Sequence, residues 1–212
     1  FHNFRSTAFS PGILPNNTVL SITEDNNKIL WLGTRNGLAR FDMKTRSFNT
    51  LFIEGDSYRT IYTLYTSTDG TVWIGTDGGL TRYDEKTHKF DTYTEKNSIY
   101  LDSDGKKSAD RHISVKSIID DGHGNLYLGT WSDGVLIFNP KKRTFQRYEK
   151  INNFNSAYSL YLDSKGRLWI GSWSEGLQMI PNPEQGPRAE HLNIPINATG
   201  FYTFYKIIED PI

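Results

Sequence analysis

The strongest constraint on this chain is a short phrase that it repeats four times. Trp31-Leu32-Gly33-Thr34-Arg35-Asn36-Gly37-Leu38 returns as Trp73-Ile74-Gly75-Thr76-Asp77-Gly78-Gly79-Leu80. One residue longer, it comes back as Tyr127-Leu128-Gly129-Thr130-Trp131-Ser132-Asp133-Gly134-Val135 and as Trp169-Ile170-Gly171-Ser172-Trp173-Ser174-Glu175-Gly176-Leu177. Gly33 to Gly75 is 42 residues, Gly75 to Gly129 is 54, and Gly129 to Gly171 is again 42. The middle interval is one period plus a 12-residue insertion. A period near 42 built of strands is the spacing of a β-propeller blade, a four-stranded sheet set radially about an axis.

The rest of the composition fits that reading. Twelve Tyr, twelve Phe, five Trp and eighteen Gly in 212 residues suit many short, half-buried strands joined by tight turns. Lys+Arg and Asp+Glu balance at 24 each, so the chain carries no electrostatic footprint for nucleic acid or anionic lipid. With no cysteine, disulfides, thiolate chemistry and Cys-ligated metals are excluded, and no cofactor is expected. No apolar run approaches the roughly 18 residues of a membrane span. The chain reads as a soluble segment of something longer, without membrane contact of its own.

Each repeat parses into four strands. The first is apolar: Val19–Ile22, Ile61–Leu64, Val115–Ile118 and Ala157–Leu160. An Asp-, Asn- and Gly-rich turn follows, of the kind that accepts positive φ. The second strand carries the repeated aromatic and the first glycine. The third begins at Leu38, Leu80, Val135 and Leu177, and an outer strand follows at 48–52, 90–94 and 145–149. A large aromatic in each blade would fill the widening gap between splayed sheets. Gly33 would let a neighbouring backbone come close, and Gly37 would supply a positive-φ turn residue. These repeated Trp and Gly positions read as scaffold.

The expected architecture is all-β: a β-propeller domain over 1–212, with blades at about 18–52, 58–94, 113–149 and 156–194. Residues 201–210 match the opening of a further blade, and Phe4-Arg5-Ser6 matches the end of an outer strand. Four complete blades with partial end strands imply a fragment of a larger ring. An open arc would also expose unpaired edges, which favour self-association, including a homodimer.

The phrase Trp31–Leu38 followed by Phe41-Asp42-Met43-Lys44-Thr45, and Trp73–Leu80 followed by Tyr83-Asp84-Glu85-Lys86-Thr87, closely resembles the two-component regulator propeller repeat. Tyr127–Val135 with Phe138-Asn139-Pro140-Lys141, and Trp169–Leu177, are looser copies. The resemblance implies the periplasmic sensor region of hybrid two-component histidine kinases of Bacteroidetes, with seven-bladed propellers ahead of an immunoglobulin-like domain, a membrane span and a kinase. It implies recognition of oligosaccharides and control of polysaccharide utilisation. This chain departs in having fewer blades and neither of the later domains.

Binding residues concentrate on loops. The loops joining second to third strands gather on one rim: Arg35-Asn36, Asp77-Gly78, Trp131-Ser132-Asp133 and Trp173-Ser174-Glu175. Trp131, Trp173, Arg35, Asp77, Asp133 and Glu175 are therefore the candidate ligand-binding residues. Indole faces would stack on a sugar ring while the charged groups bond its hydroxyls. The alternative is that Trp131 and Trp173 cap gaps between blades. The polar insertion Glu95–His112 is expected on the same rim, as a lid, a partner contact or a solvated loop. Its Asp102-x-Asp104-Gly105 opens like a calcium loop but lacks the later ligands.

Two rival functions remain. A propeller glycosidase or lyase would need two carboxylates, or a Tyr/His base, converging on one pocket. Asp77, Asp133 and Glu175 share a rim only because they occupy equivalent repeat positions, and no nucleophile elbow or phosphate loop is present. The five His, at 2, 88, 112, 123 and 191, are scattered. A protein-interaction propeller of the WD40 kind would show Gly-His and Trp-Asp signatures, and these are absent. The expected role is ligand recognition without catalysis.

Overall fold

The computed structural model describes residues 14–54, 59–94, 96–108, 112–148, 155–187, 192–194 and 203–210. It contains four antiparallel meanders, the blades of the all-β propeller class that the period predicts. The chain divides into two compact units, 1–92 and 93–212, each built around two blades.

In the first unit one blade is β1 (Val19–Glu24), β2 (Ile29–Thr34), β3 (Gly37–Asp42) and β4 (Ser47–Leu51). The next is β5 (Ile61–Thr66), β6 (Val72–Thr76), β7 (Gly79–Asp84) and β8 (Lys89–Tyr93). Their shared core joins Ile29, Trp31 and Leu38 of one blade to Ile61, Leu64, Ile74 and Tyr83 of the other. Trp31 is wholly buried, with its ring 4.9 Å from Tyr83. The repeated aromatic thus fills the inter-blade gap.

In the second unit β9 is Ile99–Leu101, and β10 (Val115–Asp120), β11 (Leu126–Thr130), β12 (Val135–Asn139) and β13 (Thr144–Arg147) form a blade. Its neighbour is β14 (Ser159–Leu162), β15 (Leu168–Gly171), β16 (Leu177–Ile180) and β17 (Leu192–Ile194). Tyr127, Val135 and Tyr148 of the first pack with Leu160, Leu168 and Ile170 of the second.

Within each unit the seam between the two blades is built on the same plan. A Cβ on Gly33 would lie 2.5 Å from Ile61 Cγ2, and one on Gly129 would lie 2.6 Å from the Ala157 carbonyl oxygen. Only glycine lets the next blade's first strand come this near. The Ser21 hydroxyl accepts the Leu64 N–H at 2.8 Å, as Ser117 accepts that of Leu160 at 3.1 Å. Gly37, at φ +118°, turns the second-to-third loop of its blade as the sequence predicts, and Gly79, Gly134 and Gly176 do the same at φ +124°, +64° and +96°.

Residues 203–210 form no strand, yet they take the place of a further blade's first strand. The Phe204 N–H donates to the Ser172 carbonyl at 3.0 Å, just as Ala157 donates to Thr130 at 2.8 Å. Phe204 sits against Gly171 as Ile61 sits against Gly33. The proposed outer-strand remnant Phe4-Arg5-Ser6 lies outside the described residues.

The insertion departs from expectation. Rather than looping over the rim, β9 adds to the outer edge of its blade, running parallel to β13 with Tyr100 opposite Phe145. Tyr100 is buried, and the chain then turns back so that Leu101 bridges Lys107. The Ile99 N–H also donates to the Arg143 carbonyl at 2.9 Å, so backbone pairing and one buried aromatic hold it together. Covering the edge also shields unpaired backbone groups.

Candidate functional site

Every second-to-third loop is closed by the same device. The hydroxyls of Thr34, Thr76, Thr130 and Ser172 donate to the carbonyls of Gly37, Gly79, Gly134 and Gly176 at 2.7, 3.3, 2.9 and 2.9 Å. Each also accepts a backbone N–H from within its loop. This fixes the backbone and leaves the residue after the hydroxyl free to vary: Arg35, Asp77, Trp131 or Trp173.

In the second unit these residues build an aromatic cluster. The rings of Trp131 and Trp173 are 5.5 Å apart at 59°. Tyr158 lies 6.4 Å from Trp131 and 5.5 Å from Trp173. Tyr205 meets Tyr158 at 5.5 Å and Trp173 at 5.9 Å, both edge-to-face. Trp131, Trp173 and Tyr205 are 46, 40 and 65% exposed. Burial, then the neighbouring Tyr205, raises the Tyr158 hydroxyl above its ordinary pKa, so it stays a protonated donor.

The spacing decides what such a cluster can hold. A flat group sandwiched between two rings needs their faces about 7 Å apart or more. These rings already touch in tilted and edge contacts. They therefore form a platform with outward apolar faces, and not a slot or a cation cage.

Polar groups frame it. The Lys116 ammonium stands 5.8 Å from the Trp131 ring centre. Glu175 is exposed and accepts the Ser156 hydroxyl at 2.6 Å, while that hydroxyl oxygen accepts the Trp173 N–H at 3.1 Å. The Thr203 hydroxyl holds the Trp173 carbonyl at 2.7 Å.

The six residues expected from sequence are thus placed unequally. Trp131 and Trp173 meet, with Glu175 beside Trp173. Asp133 is only 2% exposed and its N–H is spent on Thr130, so it belongs to the loop's frame more than to its outer surface. Asp77, in the first unit, accepts the Tyr62 hydroxyl at 2.7 Å. Arg35 is exposed in that unit, and its carbonyl accepts the Thr60 hydroxyl at 3.2 Å. Sequence reasoning overlooked Tyr158, Tyr205, Lys116 and Ser156. In-phase alignment of the first strands would have found three of them, since Lys116, Tyr158 and Tyr205 occupy one repeat position.

Among the described residues no cluster of His, Asp and Glu is arranged to hold a metal ion. A cavity of about 330 Å³ in the first unit, lined by Asp69, Arg82, Asp84, Glu85 and Lys86 among others, lies at the opposite ends of the strands, among the hairpin turns.

Comparison with known proteins places these observations. The two-component regulator propeller family matches residues 13–36, 55–78 and 153–174. No curated protein sequence matches the chain. Its fold is similar to the extracellular domain of a hybrid two-component system from B. thetaiotaomicron, with TM-score 0.72 and 22% identity over 95% of this chain and 26% of that one. It is also similar to virginiamycin B lyase from Staphylococcus aureus, with TM-score 0.65 and 14% identity over 86% of this chain and 57% of the enzyme. The chain thus spans about a quarter of the first of these proteins and just over half of the second.

Proposed function

We propose that this chain, which carries two-component regulator propeller repeats, is the ligand-recognising, periplasmic part of a hybrid two-component receptor that controls polysaccharide utilisation. It binds an oligosaccharide reversibly and does no chemistry on it. The observation that carries this reading is the exposed platform of Trp131, Tyr158, Trp173 and Tyr205. A pyranose ring presents an apolar C–H face and a polar hydroxyl edge. The indole faces take the first, while the exposed Glu175 carboxylate and the Tyr158 hydroxyl would bond the second. The likeness in fold to an extracellular domain of a hybrid two-component system agrees with this assignment. Among the described residues no helix is long and apolar enough to cross a membrane, so the signal would leave through parts of the receptor beyond this segment.

A catalytic reading draws on the fold shared with virginiamycin B lyase. The site residues favour it less. Two carboxylates acting on one glycosidic bond must converge on it. Here Asp133 is buried, and Glu175 is engaged with Ser156 at 2.6 Å.

Incubation with a glycan library separates the two. Reversible binding with the glycan recovered intact is the expected result. Release of shortened or unsaturated products would overturn the reading in favour of an enzyme.

A further inference from the structure

One pair of positions changes its chemistry from blade to blade while the residues that frame its first member and the hydroxyl before its second hold steady. Its members are fifteen residues apart in all four blades: Leu20 and Arg35, Tyr62 and Asp77, Lys116 and Trp131, Tyr158 and Trp173. In three blades the two side chains visibly meet. Tyr62 bonds Asp77 at 2.7 Å, Lys116 stands over Trp131 at 5.8 Å, and Tyr158 and Trp173 touch at 5.5 Å.

The adjoining positions hold steady. Before the first member comes an apolar residue, Val19, Ile61, Val115 or Ala157, and after it a hydroxyl, Ser21, Thr63, Ser117 or Ser159. The second member always follows the hydroxyl that closes its loop. Were the pair a packing element, its chemistry would repeat as the aromatic and glycine of the second strand do.

The backbone explains how variation is tolerated there. In β1, β5 and β10 the register slips between Val19 and Ser21, Ile61 and Thr63, and Val115 and Ser117. Leu20, Tyr62 and Lys116 are therefore the extra residues of β-bulges. A bulge takes one residue out of the ladder and re-aims its side chain. In the fourth blade Tyr158 directly precedes β14, with its N–H on the Gly171 carbonyl at 2.8 Å. Each blade thus delivers two side chains from a frame that does not depend on what they are.

We infer that these paired positions determine ligand specificity within each unit, and that in the first unit the Tyr62–Asp77 pair is a polar recognition element for sugar hydroxyls. This rests on the reading of the chain as an oligosaccharide-binding module. The residue types divide the work: Tyr158 and Trp173 stack, Lys116 with Trp131 combines an apolar face with a cation, and Tyr62 with Asp77 offers a phenol and a carboxylate.

The test uses the full chain and a fixed panel of neutral and uronate-containing hexasaccharides. Tyr62→Phe, Asp77→Asn, Lys116→Gln and Tyr158→Ala are compared with Asp163→Asn, a change in the scaffold. For the pair variants the ratio of affinities between panel members is expected to shift by about fivefold or more, the worth of one hydrogen bond, with little change in thermal midpoint. Asp163→Asn is expected to lower the midpoint and leave the ratios alone. Pair variants that lower the midpoint with unchanged ratios, or that change neither, would overturn the assignment while leaving the binding module intact. A parent chain that binds no member of the panel would overturn the oligosaccharide reading itself, and the pair assignment with it.

Discussion

The indole N–H of Trp169 donates to Asp163 Oδ2 at 2.8 Å, and Trp31 donates to Asp25 Oδ2 at the same distance. In both blades the carboxylate sits six residues earlier, in the hairpin turn, where its other oxygen also accepts backbone N–H groups. One side chain therefore shapes the turn and aims the aromatic that fills the gap between blades. Asp25→Ala and Asp163→Ala should each lower stability by about 2–3 kcal/mol, because an indole donor and several amides lose a charged acceptor together. Urea denaturation checks this, and a loss within experimental error at both sites would refute it.

Acid should unfold the protein by a definable route. Asp42 gathers the N–H groups of Thr45 and Lys44, and Asp84 those of Lys86 and Thr87, which hold both carboxyls below the ordinary carboxylate range. Asp69 is lowered likewise by the Ser67 hydroxyl and the Thr71 N–H. For Asp163 burial alone would raise the pKa, but bonds from Trp169, Arg167 and Lys165 outweigh it, and the carboxyl also ends low. A group whose folded pKa is depressed contributes stability that is complete above its unfolded value, about 3.9, and is lost as pH falls through the folded one. The thermal midpoint should be level near neutrality and decline on acidification below about pH 4. The decline should be shallower in the Asp42→Asn, Asp84→Asn double variant.

The seam glycines should rank by what faces them. A methyl on Gly129 meets a backbone carbonyl, which cannot step aside, whereas one on Gly33 meets first a side-chain methyl of Ile61. Both Gly→Ala changes should destabilise, by about 1–3 kcal/mol, with Gly129→Ala the worse. Equal or reversed midpoints in parallel thermal melts would contradict that order.

Tryptophans of one sequence should separate into two classes. Trp31→Ala empties a wholly buried site and should cost about 3–5 kcal/mol. Trp131→Ala and Trp173→Ala remove exposed faces and should leave the fold stable while weakening glycan binding by roughly thirtyfold or more, the loss of a binding hot spot. Paired calorimetry of melting and titration distinguishes the classes.

The inserted hairpin should be structural. Tyr100→Ala, at a nearly fully buried position, should destabilise by about 3 kcal/mol and speed proteolysis near residues 96–108. A solvated loop would tolerate the change without effect.

The fold was legible because its signal is redundant: four copies of an aromatic-x-Gly-hydroxyl phrase fix strand order, turn and seam together. Trp131 and Trp173 were legible for the same reason, as departures from a repeat. Tyr205 was overlooked because the segment that carries it forms no strand and is positioned instead by Phe204, which donates to Ser172 and accepts from Ser159, and by Thr203, which donates to the Trp173 carbonyl. Asp133 and Glu175 share one repeat position, so sequence could not separate them. A buried setting at one and a Ser156 partner at the other do so in three dimensions. The insertion was misplaced because a polar stretch conceals a three-residue strand, buried through Tyr100 and paired along β13.

The junction at which Gly33 meets Ile61, Gly129 meets Ala157 and Gly171 meets Phe204 has a bearing on how such genes evolve. At these three junctions a glycine socket on one repeat receives the first-strand residue of the next, whatever its side chain. Tandem duplication or loss of a whole unit would thus create no unfamiliar contact. A lineage could lengthen or shorten its array while editing the exposed side chains one unit at a time.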